Sequence, residues 1–167
     1  MATINVRIAT PEDDETISAL LKVSYAVLMV PDYTREVVDA VFPLISQANP
    51  GLLKSGTFYL AETGDGEIIG CGGWTAARPG QETLEPGLGH IRHFATHPDW
   101  THQGVASAVI NACKDAAKQT GIDRLECYSS LSAVGFYAAQ GFKVKGPIDI
   151  PITKTSYLPS VIMTCVI

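Results

Sequence analysis

Apolar positions recur along this chain at two periods, near two and near 3.6 residues, and the switches between them predict its elements. Ile4 to Ile8 alternates as a strand does. Thr10-Pro11-Glu12-Asp13 reads as a helix opening, with an N-cap, a proline at the first helical position and early acids. Ile17, Leu20, Leu21, Ser24 and Leu28 then fall on one stripe, predicting a helix from about Pro11 to Leu28. Pro31-Asp32-Tyr33 breaks it, and Thr34 caps a second helix through Val37, Val38, Val41 and Phe42 that Pro43 kinks or ends. Asn49-Pro50-Gly51 reads as a turn. Thr57–Glu62 and Glu67–Thr75 flank Thr63-Gly64-Asp65-Gly66 and so predict a β-hairpin.

The stretch His90–Gly121 organises the second half. His90–Thr96 is a strand of β-branched and aromatic residues, stopped at His97-Pro98-Asp99. From Gly104 onward Val105, Ala108, Val109, Ala112, Cys113 and Ala116 recur at helical spacing, and Gly121 offers a left-handed stop. Asp123–Tyr128 is a short strand, Ser132–Gln140 a short helix stopped by Gly141, and Phe142–Val144 begins another strand. Ile148–Ile152 and Ser160–Ile167 pair most simply as a terminal hairpin. Ala77–Gly87 is a polar, acidic loop, placed where a substrate could enter.

At 167 residues and 46% hydrophobic, with no internal repeat or linker, the chain reads as one domain, residues 1–167, able to bury a core on both sides of a sheet. Cys71, Cys113, Cys127 and Cys165 are scattered with no secretory segment ahead of them, which points to reduced thiols and a cytoplasmic protein. A net charge of −5 with its twelve Lys and Arg spread out argues against a nucleic-acid partner and mildly favours a cationic small molecule. No apolar run reaches membrane-spanning length, so no membrane partner is expected.

The joint before the long helix carries the candidate chemistry. Gln103-Gly104-Val105-Ala106-Ser107 starts it with small residues, so mainly backbone N–H groups face whatever approaches, which suits a diphosphate. An ordinary tight strand-to-helix turn accounts for the same residues. All four histidines, His90, His93, His97 and His102, fall close together and raise a metal site as a rival. Their spacing counts against it: on a regular strand His90 and His93 point to opposite faces, and the nearest carboxylate is Asp99. The same alternation places His90, Arg92, Phe94 and Thr96 on one face and Ile91, His93 and Ala95 on the other.

Thr101-His102-Gln103-Gly104-Val105-Ala106 after His97-Pro98-Asp99-Trp100, followed about thirty residues on by Ser130 to Phe142, together resemble the GNAT superfamily of acetyl-coenzyme A-dependent N-acetyltransferases. The match spans the whole element order. Gly104 and Ala106 meet the small positions of the family's helix-entry pattern, and Tyr137, Gly141 and Phe142 meet its Tyr-x-x-x-Gly-Phe pattern. Two positions depart: Thr101 stands where Arg or Gln is expected, and Ser130 where an asparagine is often found. The first removes a charge-assisted diphosphate contact, leaving His102 or Gln103 as substitutes.

The resemblance implies an α/β domain in three layers, with a mixed, mostly antiparallel, twisted sheet that splays where the Phe94 strand meets the Leu125 strand. It implies acetyl-coenzyme A as co-substrate without a metal, the pantetheine arm beside Phe94, Ala95 and Thr96, and the diphosphate over His102, Gln103, Gly104, Val105, Ala106 and Ser107, with Ser130 nearby. Tyr137 holds the position of the proton donor to the departing thiolate. His90 stands at the offset of the family's base, in competition with His93, a water chain or no dedicated base. The implied reaction is acetyl transfer to a primary amine of a small molecule or peptide in a ternary complex. An acyl-coenzyme A sensor of the same fold and a histidine-based metal hydrolase are the alternatives. The acceptor stays open, with Tyr25, Met29, Tyr33, Trp74 and the acids Glu82 and Glu85 as candidate lining, and a homodimer through the terminal strands is the assembly the family suggests.

Overall fold

A computed structural model describes residues 3–167. Seven strands form one sheet in the order β1-β2-β3-β4-β5-β7-β6, with β1 Ile4–Ile8, β2 Phe58–Thr63, β3 Ile68–Thr75, β4 Leu88–Thr96, β5 Arg124–Ser130, β6 Lys143–Pro151 and β7 Tyr157–Val166. Every pairing is antiparallel except β4 with β5. The helices are α1 Asp14–Leu28, α2 Arg35–Ile45, α3 Pro50–Leu53, α4 Val105–Gln119 and α5 Val134–Ala139. This is the mixed, mostly antiparallel three-layer α/β fold expected from the sequence.

Two apolar layers sandwich the sheet. On one face Ile17, Leu20, Leu21 and Tyr25 of α1 and Val41 and Phe42 of α2 pack on Phe58, Leu60, Cys71 and Ala95. On the other, Val105, Val109, Ile110, Cys113 and Ala117 of α4 pack on Ala61, Ile69, Ile91 and Leu125. The α4 stripe is therefore turned from the expected one: Ala108, Ala112 and Ala116 are only half-buried, and the larger Ile110 takes the centre. Burying the bigger side chain removes more apolar area from water.

Several local expectations are corrected. Pro11–Asp13 forms a separate 3-10 turn ahead of α1, and of the two outcomes expected at Pro43, a kink or an end, it does not end α2, which runs on to Ile45. Asn49-Pro50-Gly51 opens a short helix instead of a turn, because the Asn49 side chain accepts from Gly51 N and Leu52 N as a cap should. The segments expected as separate strands after Phe142 are one strand, β6, with a register shift between Val144 and Gly146. Pro147 is tolerated because β6 is an edge strand, and an edge position needs no ladder donor on its open side.

The correction with most consequence lies in β4. Ala95 pairs with Cys71 and Arg92 with Gly73, so His93 and Phe94 together oppose the single residue Gly72. This is a β-bulge, and His93 sits in it with φ 54°. The expected alternation holds from His90 to Arg92 and is then reset. Ile91 belongs to the α4 layer and Ala95 to the α1 layer, although strict alternation puts both on one face. Phe94 accordingly packs against the α4 layer, opposite to the side its spacing from His90 implies.

Gly72 permits the bulge, since a Cβ built there would overlap the Phe94 ring. Gly72→Ala should destabilise the protein by about 2 kcal/mol through overpacking, read as a lowered denaturation midpoint at unchanged m-value. An unshifted midpoint contradicts the contact.

Candidate active site

β4 and β5 share three rungs, Leu88 with Arg124, Gly89 with Leu125 and His90 with Glu126, and then part. β4 runs on through its bulge to Thr96, and β5 to Ser130 while still paired with β7. A cleft of about 840 Å³ opens in the fork, lined on one side by Phe94, Ala95 and Thr96 and on the other by Cys127, Tyr128 and Ser130. Across the opposite edge, His97 N donates to Ile69 O at 2.8 Å. By alternation the Ala95 backbone also faces β3, whereas the N–H and C=O groups of Phe94 and Thr96 point into the fork. The Phe94 carbonyl there accepts a 3.4 Å hydrogen bond from the Tyr25 hydroxyl.

The start of α4 closes the end of the cleft beyond Thr96. Pro98–Trp100 makes a 3-10 turn, held by His97 Nδ1 accepting from Asp99 N and by Thr101 Oγ1 donating to Pro98 O. His102 follows with φ 58° and Gly104 with φ 84°, two left-handed steps that swing the chain into the helix. Gly104 is the N-cap and no side chain caps α4, so its first amides face the cleft bare. Gly104, Ala106 and Ser107 line it, as does His102, which is exposed. The Gln103 amide donates to Asp99 O, and so braces the turn. Ser107 Oγ accepts from Gln140 Nε2 at 2.9 Å, tying α4 to α5.

Tyr137 stands in the wall between these parts, 5% exposed. Phe94, Phe136 and Phe142 surround its ring edge-on at centroid distances of 6.2, 5.0 and 5.4 Å. Among the described residues its hydroxyl has no hydrogen-bond partner, yet it is not sealed from the cleft. Burial pushes its pKa well above 10, so it stays protonated.

His90 lies at the last shared rung, 1% exposed and 4.5 Å from the Tyr128 ring. Its Nδ1 is 3.3 Å from Glu126 Oε1 but off the hydrogen-bonding line, leaving both ring nitrogens unpartnered. Glu126 is instead held by Arg78, whose Nε donates to Oε1 at 2.8 Å. Burial lowers the His90 pKa to about 4; Glu126 opposes the shift, and Arg92 and Arg78 add to it. His93 falls likewise to about 4, through burial and then Arg92.

The histidines do not converge: His97 braces a turn, His102 faces solvent, and among the described residues no three His, Cys, Asp or Glu side chains gather as metal ligands do. Of the expected acceptor lining, Tyr25 and Met29 reach the cleft. Trp74 is buried in the α4 layer, and the Tyr33 hydroxyl is spent on Pro159 O and Leu131 N. Glu85 pairs with Arg78 and Glu82 is exposed, and neither lines the cleft. Glu126, Arg78 and Arg92 were not singled out from sequence. For Glu126 the available signal was strand alternation, which puts it on the face opposite Leu125 and Cys127.

The site is thus a strand fork beside an uncapped helix start, with a tyrosine hydroxyl in its wall. The model of the acetyltransferase (GNAT) family matches residues 24–142, and the chain belongs to that family. In fold it is similar to a GCN5-related N-acetyltransferase from Rhodopseudomonas palustris, at 25% identity and TM-score 0.75 over 100% of this chain and 98% of that one. It is similar also to the PaiA N-acetyltransferase from Thermoplasma acidophilum, solved with coenzyme A, at 20% identity and TM-score 0.73 over 99% of each. A GNAT-family acetyltransferase from Staphylococcus aureus aligns at 16% identity and TM-score 0.67 over 98% of this chain and 99% of that one.

Unfolded histidines take up a proton near pH 6.5, roughly, whereas His90 and His93 do so only near about 4. Between those values the unfolded chain binds more protons, so their contribution to stability is full above the upper value and is lost as pH falls toward the lower. Denaturant midpoints should decline across that window. His93→Asn, which tolerates a left-handed φ, should make the decline shallower; an unchanged slope contradicts the buried, neutral His93.

Proposed function

We propose that the protein transfers an acetyl group from acetyl-coenzyme A to a primary amine, by direct attack with both substrates in the cleft. The observation that carries this reading is the departure of β4 from β5 past the His90–Glu126 rung, beside a helix start with no side-chain cap. The residues present fit the co-substrate. Phe94 and Thr96 offer main-chain groups in the fork where an extended pantetheine arm would lie as an added strand, with Ala95 behind them. Amides from His102 and Gln103 through Gly104, Val105, Ala106 and Ser107 offer a positive helix end for a diphosphate. With Thr101 turned onto Pro98 O, that contact rests on the main chain, and Ser130 borders it across the fork.

Tyr137 is assigned as the proton donor to the departing thiolate. Its phenol is always protonated, opens on the cleft and is fixed by three aromatic rings. His90 is assigned as the group that accepts the proton from the incoming ammonium. With a pKa of about 4 its imidazole is neutral and free to accept at neutral pH but is a weak base toward an ammonium; the Glu126 carboxylate, 3.3 Å from Nδ1, offsets the imidazolium charge while the proton is held, and the imidazolium then gives that proton to water.

Tyr137→Phe should lower kcat by about 100-fold, the scale of a lost general acid, while the coenzyme A Kd measured by calorimetry changes less than about threefold; unchanged turnover removes Tyr137 from the mechanism. Gly104→Val should abolish coenzyme A binding in a protein that still melts cooperatively, because a β-branched residue resists the positive φ and crowds the amides. Full-strength binding in that variant refutes the diphosphate site.

A further inference from the structure

The acceptor end of the cleft carries a charge that has no ion-pair partner among the described residues. Arg92 precedes the bulge, on the face of β4 opposite Ile91, and so points into the α1 side of the fork with His90 and Tyr128. Its Nη1 donates to Thr75 Oγ1 at 3.2 Å, which fixes the guanidinium. Among the described residues it makes no ion pair, in contrast to Arg78, whose charge is met by Glu126 and Glu85. Among the described residues that line the cleft, Arg92 is the one arginine, and none is Asp, Glu or Lys. Burial disfavours that charge, as the lowered pKa of the guanidinium reflects.

On the α1 side of the sheet the cleft is lined by apolar residues: Leu28 at the end of α1, Met29 just after it, Ile45 of α2, and Ile150, Ile152 and Leu158 from the β6–β7 end. A partly buried guanidinium held by one hydroxyl, with Nη2 and Nε left over, is shaped for a carboxylate, which two parallel N–H donors can grip. One surplus positive charge in an apolar pocket balances one negative charge, so a dianionic phosphate is the poorer match. We infer that the acceptor is an amino carboxylate with an apolar body, an apolar α-amino acid or close analogue, whose carboxylate Arg92 binds while its amine faces the acetyl donor. The net charge of −5 pointed to a cationic acceptor, but those acids lie outside the cleft, as Glu82 and Glu85 show.

This inference rests on the acetyl-transfer reading and narrows it. The test measures thiol release from acetyl-coenzyme A with leucine, methionine and phenylalanine, each beside its carboxamide and its decarboxylated amine. The free acids should be preferred by about 30-fold or more in kcat/KM, chiefly through KM, as expected for a lost hydrogen bond to a charged group. Arg92→Gln should bring that preference close to one, and Arg92→Lys, which keeps charge without the fork, should restore part of it. Amides or simple amines used as well as the acids would overturn the proposal, as would an unchanged preference in Arg92→Gln. Protein inert toward every amine would contradict acetyl transfer, and a second measurement then decides the Arg92 assignment separately. Calorimetry on coenzyme A-loaded protein should show N-acetyl-leucine binding more tightly than N-acetyl-leucinamide, by a margin that Arg92→Gln removes; equal affinities overturn it.

Discussion

The structure turns on one failure of strand pairing. A sheet edge inside a protein is costly, because buried N–H and C=O groups without partners lose hydrogen bonds that water would have given them. β4 and β5 accept that cost after their third rung. The bulge at His93 and Phe94 gives the geometric cause: an extra residue bends and twists β4 while β5 keeps an unbroken register with β7. Gly72 allows it by leaving room for the Phe94 ring, and Tyr25 mitigates it by donating to the Phe94 carbonyl. What remains unpaired is a short length of strand that an extended ligand can complete.

Polar groups around the fork divide into those already satisfied and those left available. Arg78 and Glu126 neutralise each other, Gln103 and Thr101 brace their own turn, and Ser107 accepts from Gln140. Among the described residues the Tyr137 hydroxyl and the His90 ring nitrogens have no partners, and Arg92 has no counter-charge. Leaving buried polar groups unsatisfied is unfavourable in a resting protein. Here they converge on one cavity, bordered at its far end by the uncapped start of α4.

Most of the fold was legible because its strongest signals are local. The period of Ile17, Leu20, Leu21 and Ser24, the Thr34 cap and the glycine turn after Thr63 each fix an element without reference to its neighbours. The uncapped helix start that borders the cleft was legible for a similar reason, since the small residues after Gln103 have meaning at a helix start wherever it packs. The bulge was not, because it depends on what Phe94 meets across the sheet at Gly72, and it moved Phe94 away from the face of His90. Arg92 escaped notice for a related reason: an arginine on a strand reads as solvated until the missing counter-charge can be seen. The continuity of β6 through Pro147 was not legible either, since only the sheet order shows β6 to be an edge.

The central claim is that the fork beside β4 and the start of α4 together receive coenzyme A. Two-dimensional NMR of the labelled protein, titrated with coenzyme A, reads the amides themselves. The account predicts that the largest shifts fall on Phe94, Thr96 and the run from Gln103 to Ser107, with β1 and β2 unmoved. Shifts scattered over the surface, or none at saturating ligand, would contradict it.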